Sequence, residues 1–244
     1  MKTLTRRVAL VTGASGGIGQ AIARALAAEG AAVALGYGEH SEPAEKLAEE
    51  LVAGGGLAVA IGADLRRAEA PDELVDAVES QLGAVEVLVA AAGLGRRQEL
   101  EEVSIDDFDE MLAVNLRAPF RLAQRTVPGM RERRFGRVLF FSSVAAFTGG
   151  VVGPHYAASK AGLHGLTHFL ASRLASSGVT VNALAPALIT ETRMLPGDPE
   201  ELRARVPVGR LGKPDEVADL ALAMLRNPYL TNQVVLLDGG IYPH

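Results

Sequence analysis

Short, continuously apolar runs alternate with longer segments of helical period from one end of the chain to the other. VALVT (8–12), AAVALG (31–36), AVAIGAD (58–64), VEVLVAAAG (85–93), RVLFF (137–141), VTVNALA (179–185) and QVVLLD (233–238) read as strands. The spacing between them predicts helices over about 17–29, 42–53, 71–82, 106–127, 155–176 and 214–226. Strands that are apolar throughout, not alternating, are expected where helices cover both faces of a parallel sheet. Repeated strand–helix units with right-handed crossovers then give an α/β, doubly wound, seven-stranded parallel sheet. No Pro-, Ser- or Gly-rich linker breaks the rhythm, so one domain is expected over 1–244. The irregular stretch at about 189–212 follows the sixth strand. Ligands in such sheets lie beyond the carboxyl ends of the strands, which makes this stretch a candidate substrate lid, with an ordinary surface loop as the alternative.

Composition narrows the class. Of 244 residues, 48% are apolar and 22% charged, and 29 acids against 24 bases leave a net charge of −5. The bases form no block, which argues against a nucleic-acid partner. The absence of cysteine excludes disulfides, thiol nucleophiles and Cys-type zinc sites, and suits a reducing cytoplasm. The start, MKTLTRRVALVTGASGG, has too short an apolar run for a signal peptide, and no stretch approaches the ~20 apolar residues of a membrane helix. A soluble cytoplasmic protein is expected.

TGASGGIG (12–19) follows the first strand and opens the first helix. Gly13, Gly17 and Gly19 permit a tight turn and close backbone approach, and the helix start offers free N–H groups to a pyrophosphate. An acid ending the second strand would bind ribose hydroxyls and repel a 2′-phosphate; that place belongs to Tyr37, which favours NADP(H) over NAD(H). His40, Ser41 and the N–H groups of the following helix start are the candidate phosphate donors; no Arg or Lys lies in the Gly turn or just after the second strand, and Glu39 is a nearby negative charge. Asp64, ending the third strand, is placed to bind the adenine amino group or to cap a helix.

HYAASKAG puts Tyr156 and Lys160 four residues apart on one helix face. A cation within reach favours phenolate, so the pair makes a tuned proton donor or acceptor. Ser143, directly after the fifth strand in FFSSV, could hydrogen-bond a carbonyl oxygen gaining charge; Ser142 is the adjacent alternative. His164 and His168 form an i, i+4 pair without a third ligand at a sensible spacing, and read as packing or surface residues, so no metal is expected.

Taken together, TGASGGIG, SSV, YAASK, VNALAP, PVGRLGKPDEVA and DGG, in this order over essentially the whole chain, resemble the short-chain dehydrogenase/reductase family, in the compact form of bacterial 3-oxoacyl-carrier-protein reductases. The resemblance implies a Rossmann-type fold and a tetrad of Asn115, Ser143, Tyr156 and Lys160. Tyr156 would exchange the proton, Ser143 orient the carbonyl, Lys160 hold the nicotinamide ribose, and Asn115 position a water relaying protons to Lys160; a buried amide bracing a bent helix is the other reading of Asn115. Cofactor contacts are expected at Gly13, Ser15, Gly16, Gly17, Ile18, Gly19, Asp64, Leu65, Ala92 and Gly93. After the sixth strand they are expected at Pro186, Ile189 and either Thr190 or Thr192. Two departures stand out: Ala187 replaces the family's Gly, and AAAG (90–93) replaces N-N-A-G, so that packing or another polar group must compensate for the missing Asn. The resemblance also implies a homotetramer and, as substrate, a 3-oxoacyl thioester on acyl carrier protein or coenzyme A, reduced to an alcohol. A close alternative is an NAD-dependent dehydrogenase oxidising an alcohol, sugar or steroid. A dinucleotide-sensing regulator would not need Ser143, Tyr156 and Lys160.

Overall fold

All seven apolar runs pair as parallel strands in the computed structural model, which describes residues 4–192, 195 and 197–243. The strands are β1 (Val8–Thr12), β2 (Ala32–Tyr37), β3 (Leu57–Gly62), β4 (Val87–Ala90), β5 (Gly136–Phe141), β6 (Val179–Pro186) and β7 (Val234–Leu237). Their order is β3-β2-β1-β4-β5-β6-β7, with Val11 opposite both Leu35 and Val89. The chain winds outward one way from β1 and the other way from β4. The carboxyl ends of this adjacent pair therefore diverge into a crevice, the position where such sheets take ligands.

The helices are α1 (Gly17–Ala28), α2 (Glu42–Ala53), α3 (Ala70–Leu82), α4 (Ile105–Leu112), α5 (Ala118–Glu132), α6 (Ala145–Thr148), α7 (Pro154–Leu174), α8 (Pro199–Arg203) and α9 (Pro214–Arg226). Side chains alternate across the sheet, so each strand feeds two cores. Ala9, Val11, Leu35 and Val89 pack with Ile22, Leu26, Leu47 and Val217. Leu10, Leu88, Val138 and Phe140 pack with Leu74, Leu122, Met130 and Leu163 on the opposite face. Each such burial stabilises the fold by roughly 1.5–3 kcal/mol, which holds the crevice on a rigid base. The edge strands differ from the continuous pattern, β3 and β7 being half-buried and Leu57 exposed, because each has a neighbour on one side only.

Two expectations change. The helix expected over 106–127 is α4, a π-helical turn over Ala113–Arg117, and α5, which continues to Glu132. Such a turn inserts an extra residue into the hydrogen-bond ladder and re-aims a side chain, here Asn115. The stretch 189–212 holds a short helix, α8, capped by the Asp198 side chain, and a bridge from Ile189 to Gly212. Residues 193, 194 and 196 of this candidate lid lie outside the described residues. Among the described residues, no helix is long and apolar enough to cross a membrane.

Candidate active site

Two cavities open at the carboxyl ends of the strands and share Gly13, Ser15 and Gly93 as their common rim. The first, of about 300 Å³, is lined by Ser143, Tyr156 and Lys160, by Pro186, Ile189 and Thr192, and by Gly16, Gly17, Ile18 and Gly19. The second, of about 210 Å³, is bordered by Tyr37, His40, Asp64, Leu65 and Ala92. Together they make a groove running across β1 and β4, as an extended dinucleotide requires.

The turn between β1 and α1 is built for close approach. Gly13 has φ of +72°, and a Cβ there would stand 2.9 Å from the backbone of Ala91 and Ala92, so only glycine fits without strain. No side chain caps α1 and its first turn holds no acid. Its initial N–H groups and the positive end of its dipole therefore face the groove without a competing carboxylate, which suits a pyrophosphate. By this test the residues present fit a dinucleotide.

Asn115, fully buried, is fixed by a reciprocal pair: its Oδ1 accepts from the Leu94 N–H at 2.8 Å, and its Nδ2 donates to the Leu94 carbonyl at 2.9 Å and to Ser159 Oγ at 3.1 Å. The bracing reading is the one these bonds display; Asn115 is not among the residues that line either cavity. A Cβ on Gly93 would lie 3.3 Å from both Asn115 Oδ1 and Lys160 Nζ, so a side chain there would crowd the two. With AAAG lacking the asparagine, Asn115 pins the chain at residue 94, and Thr12 Oγ1 accepts the Ala92 N–H at 3.1 Å.

The adjacent serines are told apart by their partners. Ser142 Oγ donates to the Lys160 carbonyl at 3.1 Å and lies 2.8 Å from His164 Nε2, so it ties β5 to α7. Ser143 Oγ accepts the Ala145 N–H at 3.2 Å, and its hydroxyl hydrogen-bonds the Tyr156 side chain in the cavity. His164 is thereby occupied with Ser142, and His168 Nδ1 lies 2.7 Å from Asn232 Oδ1.

Lys160 is 4% exposed and donates to the Phe141 carbonyl at 2.9 Å. Burial pushes its ammonium down to about 8. Its Nζ stands 5.8 Å from the Tyr156 ring centroid. The phenol of Tyr156 is raised above its ordinary value, because burial outweighs the opposite pull of the Ser143 hydroxyl. This reverses the expectation that the lysine would lower it: desolvation of a phenolate in an almost closed site dominates. Tyr156 is consequently a protonated acid at neutral pH.

Other expected contacts sort differently. Both threonine hydroxyls donate to backbone carbonyls, Thr190 Oγ1 to Gly212 at 3.1 Å and Thr192 Oγ1 to Ile189 at 2.9 Å, but Thr192 lines the first cavity and Thr190 does not. Ala187 is accommodated without a left-handed backbone; that conformation falls on Leu188 (φ +51°) and Glu191 (φ +57°). Ser41 does not border the second cavity, because its carbonyl starts α2 by accepting from Ala44 and Glu45. The Tyr37 hydroxyl donates to Glu45 at 3.4 Å. Asp64 does not cap α3, whose N-cap is Glu69. Instead Asp64 Oδ1 and Oδ2 accept from Arg66 at 2.7 and 3.0 Å, which holds its carboxyl below the usual range. Arg66 itself lines the second cavity, a residue that no sequence motif singles out. Its only sequence signal is the acid two residues before it in DLR, a spacing that lets an Asx turn fold the guanidinium back.

Comparison with known proteins agrees with this geometry. Residues 7–202 match the model of the family described as short chain dehydrogenase. The chain is 36% identical over 244 residues to 3-oxoacyl-[acyl-carrier-protein] reductase of Synechocystis sp., covering 99% of each chain. It is 37% identical to 3-oxoacyl-[acyl-carrier-protein] reductase FabG of Pseudomonas aeruginosa, over 98% of this chain and 99% of that one. Among solved structures, a short-chain dehydrogenase/reductase from Serratia marcescens superposes with a TM-score of 0.90 at 35% identity, covering 98% of each chain. A blue fluorescent protein from a metagenomic library, in complex with NADPH, gives 0.91 at 37% identity, over 98% of this chain and 99% of that one.

Proposed function

The chain belongs to the short-chain dehydrogenase family of NAD(P)-dependent oxidoreductases, and from this premise we propose that it is an NADPH-dependent carbonyl reductase acting on a 3-oxoacyl thioester, carried on acyl carrier protein or coenzyme A, or on a similar ketone. The observation that carries this reading is the convergence of Ser143, Tyr156 and Lys160 on one cleft that the Gly turn also lines. The thioester rests on the names of the relatives, and the 2′-phosphate on Tyr37 standing where an acid would exclude it. Thr192 is assigned to the nicotinamide end, and the segment 189–212 to a lid over the substrate in a single unit spanning 1–244.

The dinucleotide, when bound, supplies a hydride equivalent for the carbonyl carbon. The chain supplies the rest. Ser143 donates its hydroxyl proton as a hydrogen bond to the carbonyl oxygen and orients it. Tyr156, kept protonated by burial, transfers its phenolic proton to that oxygen, completing the alcohol. The resulting phenolate is stabilised by the Lys160 ammonium, and Asn115, held by the backbone of residue 94, is assigned to position a water that returns a proton to Lys160. Ser143 and Tyr156 share a hydrogen bond, so the carbonyl must enter with its oxygen toward that pair.

The test is a set of initial rates with NADPH and NADH, followed by nicotinamide absorbance, on acetoacetyl thioesters, quinones and sugars. Acetoacetyl thioester reduction with NADPH is expected. Strong NADH preference, or turnover confined to alcohol oxidation, would replace this reading by the NAD-dependent dehydrogenase.

A further inference from the structure

The second cavity contains a charge arrangement that the chemistry at Tyr156 does not use. Arg66 leaves the loop after β3 and is held as a fork by Asp64, with Nε 2.7 Å from Oδ1 and Nη2 3.0 Å from Oδ2. Its backbone N–H also donates to Asp64 Oδ1 at 3.1 Å, so main chain and side chain are fixed by one carboxylate. The remaining nitrogen, Nη1, points the other way. It lies 3.2 Å from Glu39 Oε1, in the loop after β2, and 3.7 Å from Glu110 Oε1.

Three carboxylates thus surround one guanidinium, but unequally. Asp64 makes the bidentate bond, while Glu39 is 69% exposed in its side chain and holds Arg66 by one contact. An exposed single ion pair contributes little and exchanges readily for a better anion. Among the described residues bordering this cavity, Arg66 is the one Arg or Lys.

In a sheet of this winding, the adenosine ribose faces the end of β2, which is why an acid there reads its hydroxyls. A substituent on the 2′ oxygen then points at 37–40, where the free edge of Arg66 reaches. We propose that Arg66 is the cofactor-specificity residue of this protein, its guanidinium taking a 2′-phosphate in place of the Glu39 carboxylate while Asp64 keeps the fork in position. A phosphate brings about −1.5 to −2 charges and a geometry matched to a guanidinium edge, so it displaces a lone exposed carboxylate. Glu39 acts as the competitor: it occupies Arg66 when no phosphate is present and opposes one that arrives.

This inference rests on the NADPH reading above and is tested without turnover. Calorimetric dissociation constants of adenosine 2′,5′-bisphosphate and adenosine 5′-diphosphate are compared for the full chain and its variants. Arg66→Gln should weaken the 2′,5′-bisphosphate by about tenfold or more and leave the 5′-diphosphate almost unchanged, as expected for loss of a charge-assisted bond. Arg66→Lys should recover part of the loss, since charge remains and the fork does not. Glu39→Gln should move the ratio the opposite way, tightening the 2′,5′-bisphosphate, and reports on the same site should Arg66→Gln fail to fold. If the unaltered chain shows no preference for the 2′-phosphate, the NADPH reading itself falls and this inference with it. If it shows the preference and Arg66→Gln retains it, or weakens both ligands equally, only the assignment of Arg66 is overturned.

Discussion

Replacing Lys160 by Met should make the protein more stable while removing its activity. The lysine is 4% exposed, and burial takes its ammonium from an ordinary 10.5 to about 8. At ~1.4 kcal/mol per tenfold change in proton affinity, this is roughly 3 kcal/mol of unfavourable burial. Methionine fills similar space without a charge, but forfeits the ammonium's bond to the Phe141 carbonyl, worth about 1.5–3 kcal/mol for a charged donor. The net gain is about 1 kcal/mol near neutral pH, or roughly 2–4 °C in Tm for a chain of this size. The sign with pH follows from linkage. Below about 8 both folded and unfolded chains carry the ammonium, and the full penalty acts. Between about 8 and 10.5 the unfolded chain keeps a proton that the folded one has released, so the wild-type protein gains stability as pH rises; above 10.5 the penalty is gone. Paired thermal unfolding of the two proteins at about pH 7 and about pH 10 reads this directly, since all other titrations are common to both. The Met variant should lead at the lower pH and lose most of its lead at the higher. A variant less stable at pH 7, or a lead that does not change with pH, would refute the assignment of a buried, destabilising charge.

Tyr156→Phe should reduce turnover by about 10²–10⁴-fold, as expected for loss of a positioned proton donor, while NADPH fluorescence titration shows binding retained; substantial activity would remove Tyr156 from the mechanism. Ser143→Ala should cost about 10²-fold or more in kcat, whereas Ser142→Ala should chiefly lower Tm, because its hydroxyl ties β5 to α7; equal kinetic effects would mean that the two serines are not distinguished as described. For carbonyl reduction, kcat/KM should fall above about pH 8 as Lys160 loses its proton, and a Lys160→Arg variant that retains activity should lack this alkaline limb.

Much of the fold is legible in the sequence because its signals are local. Continuous apolar runs of strand length such as VALVT and RVLFF, repeated between helical segments, read as strands covered on both faces, and all seven are found in one parallel sheet. The Gly turn is readable because its left-handed angle and the Ala91 and Ala92 backbone beside it leave no room for a side chain at Gly13, and Tyr156 with Lys160 because four residues make about one helical turn. Where a break depends on a distant partner, pattern is silent. The helix expected over 106–127 keeps its period through 113–117, and the π-helical turn there is tied to the bonds between Asn115 and the backbone of residue 94.

Sequence by itself therefore determined the class of fold, the place of the groove and the residue types able to move a proton within it, since period, turn chemistry and side-chain chemistry are properties of neighbouring residues. Tertiary structure alone decided which of two serines has its hydroxyl on Tyr156 and which is tied to α7, and that Thr192, not Thr190, lines the cavity. It also decided the sign of the Tyr156 shift and the arrival of Arg66 from the loop after β3 opposite the loop after β2. Each of these depends on burial or on a partner remote in the chain, and desolvation and ion pairing are set by what surrounds a group in space.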